Sequence, residues 1–178
     1  KIENRFNVKI GGIAYDKKFI FEELGYNLEP SELGSAFGLI QLKRLNFNLK
    51  KRTKLFKSHT NFLSKFNNFF ETPIQKNNVK TGWLAYPITI KTNNYFDRKD
   101  LQIYLEKNNI QTRVVFTGNI LRQPAFKNIK CIKKRVYRSA DKIMKNSLLI
   151  ACHHGLSMKE TKYIYLTIIK FFKYKKIY

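Results

Sequence analysis

From residue 83 to residue 174, strand-forming and helix-forming segments alternate, and this alternation limits the fold more than any other feature of the chain. Residues 83–91, WLAYPITIK, read as a strand. Pro87 pushes that strand toward a sheet edge or a bulge, because proline cannot donate to a ladder. Asp97, with Asp100 three positions on, predicts the cap of a helix through Lys107 that stops at Asn108-Asn109. Ile110–Phe116 is rich in β-formers, so strand, helix and strand follow one another as in a βαβ-type unit. Residues 139–146 read as a helix and Leu148–Ala151 as a short buried strand. Ser157-x-x-Glu160 is a capping-box pattern. It precedes an amphipathic helix with Ile164, Ile168 and Phe172 at four-residue spacing, after which the tail KYKKIY is expected to fray. The expected class is α/β, with helices over a short sheet.

Two long helices are expected to lead into this layer. Ser31 is a suitable N-cap, Glu32 faces the positive end of the dipole, and apolar residues stand at 33, 37 and 40. Gly34, Ser35, Ala36 and Gly38 make one end of this helix small. Each helical glycine costs about 1 kcal/mol relative to alanine, so a close backbone approach to another element is expected there. The stretch Asn46–Asn48 reads as a break. A second, basic helix then runs to about Phe69 or Phe70, before Thr72-Pro73 forbids its continuation. Residues 1–28 read as irregular structure and short strands, with a turn at Gly11-Gly12.

The formal net charge of +23 raises a nucleic-acid-binding domain as the alternative function. Two observations weaken it. Lys, Asn, Ile, Phe and Tyr make up about half of the chain, as A/T-rich codons would produce, and lysine far outnumbers arginine. The positive charge is also spread along the whole length, where a nucleic-acid site would show a stripe with arginine for bidentate contacts. Salt-dependent binding to a nonspecific oligonucleotide would separate the two readings. The apolar runs are far shorter than a membrane span. Cys131 and Cys152 lie in no metal-like spacing, which suggests a reducing, cytoplasmic setting. The chain has no initiator Met, which suggests that it begins inside a longer gene product.

No metal site, phosphate loop, dinucleotide fingerprint or nucleophile elbow is present, and His59, His153 and His154 form no ligand cluster. Two loops stand out chemically. Gly25-Tyr26-Asn27 offers hydrogen-bonding side chains beside a glycine, although from pattern alone a turn with Asn27 bonding its own backbone is the plainer reading. In the second, residues 112–126, Arg113 lies in a strand with Asn119 and Arg122 in the loop beyond it. Such strand ends with Gly and Arg commonly hold anionic groups, and surface arginines on a turn explain the pattern equally.

Together the loops are recognisable. GYNLEPSELGSAFGLIQLKRL resembles a segment of the DegT/DnrJ/EryC1/StrS sugar aminotransferases, the one that follows their cofactor-lysine region. RVVFTGNILRQPAF is similar to one branch of that family, the CDP-4-keto-6-deoxyglucose 3-dehydrases of lipopolysaccharide biosynthesis, through Thr112, Arg113, Phe116, Gly118, Asn119, Arg122, Gln123, Pro124 and Phe126. Arg5-Phe6, Tyr15-Asp16-x-Lys18 and Gly155-Leu156-Ser157 also fit, so the resemblance spans nearly the whole chain. Cys152-His153-His154 departs from the branch, which more often has aromatic or aliphatic residues and a proline there.

The resemblance implies the C-terminal small domain of a fold-type-I, pyridoxal-phosphate-dependent transferase, a short mixed sheet covered by helices and preceded by long interdomain helices. Residues 1–30 would end the large cofactor domain and residues 31–178 would form the small one. It implies a homodimer, a nucleotide-diphosphate sugar substrate, and pyridoxal or pyridoxamine phosphate as cofactor. The chemistry would be C3 dehydration, slightly preferred, or sugar transamination. The Lys or His at the cofactor position would come from the large domain, and this chain supports no iron–sulfur cluster. Asn27, with Tyr26 beside it, would reach the cofactor phosphate of the other subunit. Phe116 would lie at the catalytic position near cofactor and substrate. Arg113, Asn119 and Arg122 would bind substrate phosphate or sugar hydroxyls. Gly34 and Gly38 would pack closely against the large domain or the partner.

Overall fold

The computed structural model describes residues 7–20, 22–26, 28–126, 128, 130 and 136–177. The chain divides into two compact units, Lys1–Lys43 and Arg44–Tyr178.

The first unit opens with a hairpin of β1 (Val8–Ile10) and β2 (Ile13–Tyr15), paired antiparallel. Gly11 and Gly12 both take positive φ at its turn, as the sequence predicts. Asp16 caps a following 3-10 turn through a 3.1 Å bond from the Lys18 amide. The start of helix α1 (Glu32–Leu63) lies where Ser31 predicts it, with the Ser31 hydroxyl accepting from the Gly34 amide at 3.0 Å. None of the described residues up to Lys43 is buried.

Helix α1 is a single helix of 32 residues, not two. Asn46 and Asn48 do not break it, because each costs under about 0.7 kcal/mol in a helix, and the helix continues to bury Phe56, His59 and Leu63 further along. The helix also stops earlier than Phe69. A 3-10 turn, Ser64–Phe66, follows Leu63, and Phe70–Glu71 forms strand β3. Strand β4 is Ala85–Ile90, α2 is Arg98–Lys107 and β5 is Arg113–Val114. Helix α3 (Arg138–Asn146), β6 (Ser147–Ala151) and α4 (Met158–Tyr174) complete the second unit. Both predicted N-terminal boxes are formed, Asp97 with Asp100 and Ser157 with Glu160. The last residues are better anchored than expected: Lys175 pairs with Asp100 at 2.8 Å, and Ile177 packs against the core.

The four-stranded sheet has the order β3-β4-β6-β5. The α/β class stands, but the mixed sheet is corrected in detail, because each neighbouring pair is antiparallel. Strands β4 and β5, joined through α2, run parallel to each other with β6 inserted between them. The expected βαβ unit is therefore a split one. Burial explains the insertion: Ser147, Leu148 and Ile150 of β6 are buried, whereas both residues of β5 are exposed and take the edge. Strand β5 is also shorter than predicted, because the chain turns at Val115–Thr117. Pro87 lies inside β4, where β3 does not reach; β3 pairs only with Thr89 and Ile90. At Pro87 the sheet is thus locally an edge, as proline requires.

The core joins alternate residues of β4 (Tyr86, Ile88, Ile90) to Leu101 and Leu105 of α2 and to Ile164, Ile168, Phe171 and Phe172 of α4. His59 of α1 is fully buried beside it. Its Nε2 bonds the Ala151 carbonyl at 3.0 Å, and its Nδ1 bonds the Tyr165 hydroxyl at 2.9 Å. Nε2 therefore donates and Nδ1 accepts, the pattern of a neutral ring. Burial holds the His59 pKa below its ordinary 6.5, against the opposing effect of the Ala151 bond. The unfolded chain takes up this proton near pH 6.5 and the folded chain resists it. The stabilisation is thus complete above pH 6.5 and is lost as pH falls below it. We expect urea midpoints to decline between pH 6.5 and 5, with a slope of at most about 1.4 kcal/mol per pH unit from this one proton. A flat profile over that window would contradict a neutral, buried His59.

Candidate functional site

Two of the six expected site residues belong to the first unit and four to the second. Asn27 lies outside the described residues, as do Arg5, Phe6 and Cys131. Tyr26 is 93% exposed. In the second unit, Arg113, Phe116, Asn119 and Arg122 follow one another along β5 and the loop after it.

That loop is tightly built. The Gly118 amide bonds the Val115 carbonyl at 3.0 Å, closing a turn around Phe116. The Gln123 side chain bonds the Thr117 carbonyl at 3.0 Å. Asn119 caps a 3-10 turn, Ile120–Arg122, accepting from the Leu121 amide at 3.2 Å, and a second 3-10 turn, Pro124–Phe126, follows. Phe116 takes φ 48°, a left-handed conformation that costs an L-residue roughly 1–2 kcal/mol. Phe116 is nevertheless 90% exposed, so the packing of its side chain against the described residues does little to offset that strain. Strained residues of this kind cluster at functional sites.

The structure brings Asn119 and Arg122 together on one carboxylate that the sequence reading did not select. Asn119, only 7% exposed, donates from Nδ2 to Asp141 Oδ1 at 2.8 Å. Arg122 donates from Nε to the same oxygen and from Nη2 to Oδ2 at 2.6 Å. The Arg122 and Asn119 hydrogen bonds hold the Asp141 pKa at about 2. The signal in the sequence was scarcity, since twelve acidic residues stand against 35 basic ones. Arg113 stands apart from this group. It lines a cleft of about 360 Å³ with Gln111, His153, Glu160 and Tyr163. Cys152 is buried, and burial raises its thiol pKa to about 11, so it is no nucleophile. Among the described residues, no group of three or more His, Cys, Asp or Glu is placed to hold a metal, and no helix is long and apolar enough to cross a membrane.

The fold is that of the pyridoxal-phosphate-dependent aminotransferases. The Escherichia coli GDP-4-keto-6-deoxy-D-mannose-3-dehydratase with bound hydrated PLP matches at a TM-score of 0.71 and 26% identity, over 85% of this chain and 39% of that one. The chain belongs to the DegT/DnrJ/EryC1/StrS aminotransferase family, whose model matches residues 4–169. It is 31% identical to the lipopolysaccharide biosynthesis protein RfbH of Salmonella typhimurium, over 94% of this chain and 39% of that protein. It is 27% identical to the dTDP-4-dehydro-2,6-dideoxy-D-glucose 3-dehydratase of Saccharopolyspora spinosa, over 94% of this chain and 36% of that protein. The chain thus spans about two fifths of the length of the relatives it matches.

Proposed function

We propose that this chain is the C-terminal part of a vitamin-B6-dependent enzyme acting on a nucleotide-diphosphate keto-deoxysugar for polysaccharide biosynthesis. Phe116 carries the proposal: a fully presented aromatic ring on a strained loop has its partner outside these residues. The first unit agrees, because none of its described residues is buried and Leu24, Leu28, Leu33 and Phe37 are left uncovered. An apolar surface of that extent marks an interface. In this reading residues 1–30 end a large cofactor domain, residues 31–178 form the small domain, and a homodimer in the cytoplasm completes the site.

The residues present fit the edge of a pyridoxal or pyridoxamine phosphate cleft. Asn27, with Tyr26 beside it, carries neutral hydrogen-bonding groups suited to the coenzyme phosphate of the other subunit. Separately, the exposed Phe116 suits the wall beside a planar coenzyme. When bound, the coenzyme supplies an electron sink for chemistry at C3 or C4 of the sugar. Phe116 excludes water from the reacting face. Arg113, in its cleft, binds an anionic group of the nucleotide-diphosphate by charge-assisted hydrogen bonds. The net charge of +23 draws such a substrate in. Dehydration at C3 is preferred over transamination, following the dehydratase relatives.

The test is Asn27→Ala in the complete enzyme. Removing a hydrogen bond to a charged phosphate is expected to weaken coenzyme retention roughly tenfold or more, read by dialysis and coenzyme absorbance. Unchanged retention would remove Asn27 from the site.

A further inference from the structure

We propose that Asp141 is the positioning residue of the Phe116 loop, acting through Asn119 and Arg122 without touching substrate or coenzyme. This rests on the reading of Phe116 above.

Three donors converge on the one carboxylate. Oδ1 receives the Asn119 amide at 2.8 Å together with Arg122 Nε, and Oδ2 receives Arg122 Nη2 at 2.6 Å. The Arg122 contact is bidentate, which fixes the guanidinium plane as well as its distance. The other end of the Asn119 side chain caps the turn at Leu121. One carboxylate therefore ties both ends of the turn 119–122 to α3. Met144 stands three residues further along the same helix, on the same face. Gly118 presses against it: a Cβ there would come within 2.7 Å of the Met144 Cα and closer still to its Cβ. The loop is thus pinned to α3 at two adjacent points, and Phe116 projects from the closed turn just before them.

Exposed ion pairs usually contribute little. This one differs because the same carboxylate also satisfies a buried amide. With the Asn119 amide and two of the three Arg122 nitrogens occupied, these residues shape the loop, and Arg113 is left to meet the ligand.

Amide hydrogen exchange on this chain, followed by mass spectrometry, tests the proposal. Asp141→Asn and Arg122→Glu are each expected to raise exchange about tenfold in peptides covering 115–126, with β4 and α4 unchanged. Combining Arg122→Glu with Asp141→Arg restores opposite charges in swapped positions and is expected to recover part of the protection. A merely local loss of stability would not be rescued by that swap. Unchanged exchange in Asp141→Asn, or a swap no better protected than Arg122→Glu alone, overturns the proposal. The measurement uses neither coenzyme nor sugar. Its failure would remove the Asp141 clamp alone, whereas unchanged coenzyme retention in Asn27→Ala would count against the coenzyme reading alone.

Discussion

Phe172→Ala is expected to remove about 3–5 kcal/mol of stability, the range for truncating a buried ring, and to lower Tm by on the order of 10 °C. Phe172 is fully buried in α4. Its ring stacks on Phe66 at 4.7 Å and lies 5.4 Å from Phe69, 5.7 Å from Phe70 and 5.7 Å from Phe96. Those rings come from the turn after α1, from β3 and its approach, and from the segment before α2. They sit on separate stretches of backbone, residues 66–70 and the segment before α2, so the cavity left by alanine cannot close by one local shift. Domains of this size are stable by about 5–15 kcal/mol, so the loss is a large share of the total. Urea unfolding followed by far-UV circular dichroism measures it. A loss under about 1 kcal/mol would mean that the neighbouring rings repack freely.

Gly118→Ala is the second large effect, and its cause is backbone. Gly118 has φ 62°, where an L-residue pays roughly 1–2 kcal/mol. The added methyl group also meets the Cα of Met144, part of helix α3, which cannot rotate away as a side-chain tip would. Overpacking of this kind adds about 1–3 kcal/mol. The strain is relieved by the loop leaving α3, so the variant is expected to show lower stability together with raised exchange in 115–126. Gly118→Asn separates the two causes. Asparagine tolerates the left-handed region but carries the same Cβ, so it retains the contact penalty and loses part of the dihedral one. If alanine were accepted within about 0.5 kcal/mol, the close approach to α3 would be refuted.

Much of the second unit was legible because the signals are short-range. Asp97, Ser157 and their partners three residues on are capping boxes in the sequence and in the structure. The Ile164, Ile168 and Phe172 stripe is the buried face of α4. The failures share one cause. Asn46–Asn48 carries a true but small local penalty, and the buried Phe56, His59 and Leu63 lie beyond it on the same helix. Ile110–Phe116 has strand-forming composition, but only Arg113 and Val114 find a partner, on β6. The loop 112–126 stands out in the sequence and is tightly hydrogen-bonded in the structure, whereas its anchor, Asp141, carries no motif and gains its place only from what reaches it.

What the sequence determined by itself is therefore what short stretches of chain can decide: where helices start, where the chain turns, which face of a helix is apolar, and the two loop signatures that mark the family. Tertiary structure alone decided which strand lies in the middle of the sheet, which carboxylate receives Arg122 from 19 residues away, and which groups meet His59 from 92 and 106 residues away. The physical reason is range. Capping bonds and helical stripes form within a turn of backbone, whereas a buried imidazole or a shared carboxylate acquires its partners only after the chain has closed long loops around a common core.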